Sequence, residues 1–162
     1  MQCETPHHES RLNLLLTDGG WREESWADRL PQLLEPLGVS AVRAGCGREA
    51  ASVLRETPIH AAVLDLSLPM DARHRRRAFS GGPMTLDEGG VRLIELVGRL
   101  ATRPPLVIVR QPRSSREDQR TLALAMKLGA FAVVDRPVDL EHILRVLHKL
   151  LERHYRGRWP GI

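Results

Sequence analysis

The chain has 162 residues, 42% of them hydrophobic and 27% charged, enough for one domain with a full core. No apolar run approaches the roughly 20 residues of a membrane helix, the polar start Met1–Ser10 has no signal-peptide core, and two cysteines are too few for a disulfide scaffold. A cytoplasmic protein with no membrane partner is therefore expected. The net charge of +4 leaves nucleic acid or an acidic partner open, but aromatics are only 4% and the arginines are spread along the chain, which disfavours nucleic-acid binding.

Leu12–Thr17 reads as a strand stopped by Asp18-Gly19-Gly20. Trp21 to Leu37 carries Trp26, Leu30, Leu33, Leu34 and Leu37 at helical spacing, closed by Gly38, with Pro36 expected to end the helix early. Val39–Arg43 reads as a second strand, Arg48–Glu56 as a second helix, and Ile59–Leu64 as a third strand ending in Asp65. Residues 70–90 form an unusual stretch holding His74-Arg75-Arg76-Arg77, Ser80-Gly81-Gly82-Pro83 and Asp87-Glu88-Gly89-Gly90, expected as a long inserted loop. Val91–Leu100 follows as a third helix, Leu106–Val109 as a fourth strand, and Arg116–Leu128 as a fourth helix closed by Gly129. Phe131–Val134 is the fifth strand and Asp139 to about His154 the fifth helix, with Asp139 as its N-cap. Residues 1–10 and 155–162 read as polar or basic tails around one domain, 11–154.

Short strands rich in Val, Ile and Leu that alternate with helices predict an α/β fold. It is a single doubly wound parallel sheet, covered on both faces, with right-handed crossovers. Three strand ends then bring polar groups to one edge: Asp18, Asp65 and Asp135-Arg136-Pro137. That edge is where open α/β sheets place their chemistry. Burying Asp65 unpaired is costly, so it is expected beside a cation, a donor or a ligand. Two carboxylates meeting at a rim suit a hard divalent ion such as Mg²⁺.

At this point the chain resembles the receiver domain of bacterial response regulators. Asp65-Leu66-Ser67-Leu68-Pro69 is similar to that family's phosphoacceptor segment, and Gly129-Ala130 through Arg136-Pro137 to its fifth-strand segment. Val42-Arg43-Ala44-Gly45-Cys46-Gly47-Arg48-Glu49-Ala50 is similar to its second strand and helix start. The resemblance spans residues 11 to 152 and rests on order and spacing. It implies a flavodoxin-like sheet of five strands in order 2-1-3-4-5, flanked by five helices. It also implies Asp65 as phosphoacceptor, and Mg²⁺ held by Asp18, Asp65 and the Ser67 carbonyl. A cis Arg136–Pro137 bond is part of the same implication.

The pattern departs from the family at named positions. Thr17 stands where the first of two adjacent acids is usual. Arg110 replaces the hydroxyl residue that ends strand four, Arg136 replaces a lysine, and Val133 stands at the aromatic switch position. Arg136 keeps the charge but not the compact shape of an ammonium. Arg110 is expected to pair with a phosphoryl group or with Asp65 itself.

The resulting expectation is an atypical, receiver-like signalling protein of a two-component or phosphorelay system. It is not an enzyme; it acts by binding other proteins through the fourth helix, fifth strand and fifth helix, and it carries a degenerate phosphoacceptor site at Asp65. Its partners would be a histidine kinase, a phosphotransfer protein or an output partner, with homodimerisation open through the face of the fourth helix, fifth strand and fifth helix. The alternatives are a fully phosphorylatable Mg²⁺-dependent receiver, a basic nucleic-acid-binding module, and a small phosphatase-like hydrolase. For the last, Ser67 stands where a second aspartate is wanted. Lesser signals are the basic run His74–Arg77, Asp87 and Glu88 as substitute acids, a Cys3/His7/His8 cluster, a small partly buried Cys46, and Trp159 on the tail.

Overall fold

The computed structural model describes residues 12–17, 26–71, 88–110 and 116–155. Its strands are β1 (Leu12–Thr17), β2 (Val39–Ala44), β3 (Ala61–Asp65), β4 (Leu106–Arg110) and β5 (Ala132–Asp135). The described helices are α1 (Trp26–Leu34), α2 (Gly47–Glu56), α3 (Glu88–Arg99), α4 (Arg116–Lys127) and α5 (Leu140–His154), with a 3-10 turn at Glu35–Leu37. The five strands form one parallel sheet in the order β2-β1-β3-β4-β5. This is the fold class and strand order expected.

Alternation along each strand divides the core between two faces. Leu14, Leu16, Ala61, Val63, Val107 and Val109 meet Trp26 and Leu30 of α1 and Ile143, Leu147 and Leu150 of α5. Leu15, Ala62, Leu64, Leu106 and Ile108 meet Ala50 of α2, Leu93, Ile94 and Val97 of α3, and Ala125 of α4. Both faces of the inner strands are buried, which is why these strands read as continuous apolar runs.

Element ends follow local chemistry. Helix α1 stops at Leu34, where Pro36 forces a 3-10 turn, and Gly38 at φ 80° closes it with its N–H on the Glu35 carbonyl. Asp139 caps α5 by accepting from the His142 N–H at 3.2 Å. The Arg136–Pro137 bond is cis, as the resemblance implied. The third helix begins three residues earlier than expected, at Glu88, so the end of the supposed loop is helical. Gly90 permits this: a Cβ there would lie 2.8 Å from the Asp65 carbonyl oxygen and 2.8 Å from the Leu66 Cα. Helix α3 thus packs its first turn directly on the chain leaving β3. Residues 72–87, which include His74–Arg77 and Asp87, lie outside the described residues, as do the side chain of Glu88, the Cys3/His7/His8 cluster and Trp159. Cys46 is buried, just before α2. Among the described residues no helix is long and apolar enough to cross a membrane.

At the amino end of the sheet, the Tyr155 hydroxyl donates to the His60 carbonyl at 2.5 Å, and the two rings meet edge to face. The Asn13 N–H donates to His60 Nδ1 at 2.9 Å, and the His60 N–H donates to the Asn13 carbonyl at 2.9 Å. These bonds fasten the last turn of α5 to the start of β3.

Two outcomes follow. Gly90→Ala forces a methyl into backbone atoms and is expected to cost about 1–3 kcal/mol in a urea melt. Burial raises the Tyr155 hydroxyl above its ordinary value of 10.0. The unfolded chain then releases this proton at lower pH than the folded one. The contribution is complete below about pH 10 and is lost as pH rises through the folded value. Stability measured from pH 9 to pH 11 is expected to fall more steeply for the native protein than for Tyr155→Phe, which lacks the chain's single tyrosine.

Candidate functional site: a buried carboxylate held by an arginine

Asp65 ends β3 at the carboxyl rim of the sheet and is fully buried. Its Oδ1 accepts from the Ser67 N–H at 2.9 Å and from the Ser67 hydroxyl at 2.7 Å. Its Oδ2 accepts from Arg136 Nη2 in a buried ion pair. Strand β4 lies between β3 and β5, so Arg136 reaches over the end of β4, a span of about 9–10 Å between the flanking strands. The long arginine stem makes that reach. The sheet order thus brings together residues 71 positions apart.

Such a pair is costly to desolvate and costlier still to break. Removing one partner leaves a buried charge uncompensated, at about 3–5 kcal/mol.

Thr17 sets the local frame. Its buried hydroxyl donates to the Val63 carbonyl and accepts from the Asp65 N–H, both at 2.9 Å. The β1–β3 register runs to Leu16 opposite Val63. The Thr17 side chain carries the hydrogen bonding one step further and fixes the backbone that bears Asp65. In the sequence Thr17 stands out only as a missing acid. A buried hydroxyl at a strand end, needing both a donor and an acceptor, was the available signal.

Of the two pairings expected for Arg110, the one with Asp65 is not made. Its Nε donates at 2.8 Å to Asp135, its register neighbour on β5, and the pair is partly exposed. Adjacent strands put these two residues side by side at the rim, so the nearer carboxylate takes the guanidinium. The backbone joins the two pairs, since the Arg136 N–H donates to the Arg110 carbonyl at 2.9 Å. Val133 is half-buried in β5 and packs against the α2–α3–α4 side.

Asp18, the expected second acid, lies outside the described residues. The groups that are described do not suit Mg²⁺ at Asp65. A guanidinium occupies one carboxylate oxygen, two donors from Ser67 occupy the other, and the Thr17 hydroxyl is committed to the backbone. Among the described residues no three His, Cys, Asp or Glu side chains converge as a metal cluster.

No protein-family model matches this sequence, and no curated protein matches it. Solved structures do. The chain is similar to a CheY-like response regulator receiver domain protein from Methanospirillum hungatei, with a TM-score of 0.64 at 19% identity over 90% of this chain and 98% of that one. It is similar to the non-phosphorylated HemR receiver domain from Leptospira biflexa, with a TM-score of 0.61 at 21% identity over 86% of this chain and 94% of that one. A receiver domain of a Francisella response regulator aligns with a TM-score of 0.60 at 18% identity, over 88% of this chain and 98% of that one. The chain therefore has the receiver fold, and Asp65 stands at the end of its third strand.

The ion pair makes a prediction in stability. Arg136→Met is expected to lose about 3–5 kcal/mol in chemical denaturation, because Asp65 is left buried and unpaired. The double variant Asp65→Leu/Arg136→Met is expected to lose less than that single change, since it removes both charges together.

Proposed function

We propose that this protein is a receiver-like signalling module that works by binding other proteins, with Asp65 held by Arg136 rather than charged through a bound Mg²⁺. The observation that carries this reading is the Arg136–Asp65 pair inside a receiver fold. In phosphoryl transfer the attacking oxygen needs a free approach to phosphorus, and the transferring group needs cationic support. Here both carboxylate oxygens are engaged. A guanidinium already supplies the positive charge that a divalent ion would otherwise bring, and it repels such an ion.

On this reading the chain is a cytoplasmic binding module and not an enzyme. Its partners are other signalling proteins. The surface offered is the face of α4, β5 and α5, where β5 is the edge of the sheet, Met126 of α4 is exposed, and Phe131, Lys149, Glu152 and Arg153 line a shallow cavity of about 440 Å³. A second copy of the chain is one candidate for that face.

The test is beryllofluoride with Mg²⁺, followed by fluorine NMR. The native protein is expected to give no bound beryllofluoride resonance. A stoichiometric bound signal that Asp65→Asn abolishes overturns the reading in favour of a Mg²⁺-dependent acceptor.

A further inference from the structure

We propose that Ser67 is a phosphoryl-accepting residue of this site, taking the group from a small acyl phosphate such as acetyl phosphate. The proposal rests on the reading of Asp65 as an engaged carboxylate, and it assigns that carboxylate a different task.

Three observations combine. Asp65 is fully buried, whereas Ser67 is half-buried, so the Ser67 hydroxyl is the nucleophile of this cluster closer to solvent. The hydroxyl donates to Asp65 Oδ1 at 2.7 Å, which places a base within reach of its proton. The same carboxylate is oriented through its other oxygen by Arg136. Nucleophile, base and orienting group thus stand in series, the arrangement that activates a hydroxyl. The Ser67 N–H bond to Oδ1 closes the turn and holds the hydroxyl in place.

The step balances within the site. Ser67 Oγ attacks phosphorus and forms the Oγ–P bond. The bond from phosphorus to the acyl oxygen breaks, and its electron pair leaves on a free carboxylate. The hydroxyl proton passes to Asp65 Oδ1. Protonation cancels the charge with which Arg136 is paired, and the guanidinium then pairs with the phosphate on Ser67. The buried ion pair is exchanged for one with the phosphate on the half-buried Ser67. The event is stoichiometric, with no turnover, and its product is a phosphoester. Such an ester persists where an acyl phosphate on a carboxylate hydrolyses.

The experiment is incubation of the native protein with acetyl phosphate in the presence of a metal chelator. Intact-mass and fragment-ion spectrometry follow, before and after neutral hydroxylamine. The expected result is one phosphoryl group on Ser67 that survives hydroxylamine. It is absent in Ser67→Ala, kept in Ser67→Thr, and formed at least about 100-fold more slowly in Asp65→Asn, for loss of the base. Circular dichroism of each variant separates loss of the label from loss of the fold. A folded native protein that takes up no phosphate overturns this proposal and leaves the reading of Asp65 standing. A hydroxylamine-labile label that persists in Ser67→Ala and vanishes in Asp65→Asn overturns both.

Discussion

Asp65 and Arg136 form an ion pair at the centre of the carboxyl rim, buried on both sides, and the surrounding chain is arranged around its needs. Desolvating two charges is repaid only when geometry and further hydrogen bonds are good. The parallel order of the sheet places the two ends within reach across β4. Thr17 fixes the backbone of one end, and the Arg110 carbonyl holds the backbone of the other. Ser67 completes the acceptor side. Each of these contacts comes from a different strand end or turn, so the site exists only once the sheet is assembled.

The same arrangement separates inward from outward charge. Asp135 ends β5 and Arg136 is the first residue beyond it, where the chain leaves the strand. Asp135 meets Arg110 at the exposed surface, and Arg136 turns in to Asp65. Exposed pairs of this kind contribute little, with a median near 0–1 kcal/mol. The buried pair therefore outweighs the surface pair in the energetics of the rim.

Much of this was legible in the residues. Continuous apolar runs of Val, Ile and Leu between helical segments point to the sheet, and Pro36, Gly38 and Asp139 mark helix ends that the structure keeps. The expectation for Asp65 is a cation, a donor or a ligand, and it meets a cation in Arg136 and donors in Ser67. The choice between two arginines was not legible. Both sit at strand ends, and the β4–β5 register, which puts Arg110 opposite Asp135, becomes visible only in the folded sheet. The start of α3 was missed because Gly89-Gly90 reads as a loop signal, whereas Gly90 is small so that the helix can touch the chain after Asp65. Thr17 was misread because its value lies in a hydrogen-bond geometry with residues 46 and 48 positions away.

Helix α5 runs from the carboxyl rim of the sheet to its amino rim. Asp139 caps it near Arg136 and Pro137 at the carboxyl rim, and Tyr155 ties it to His60 at the amino rim. Its 15 residues make a rod about 22 Å long. The helix spans the sheet from one rim to the other, with its cap at the carboxyl end and the Tyr155–His60 bond at the amino end. The two rims of the sheet are thus bridged on the outside by α5 as well as through the strands.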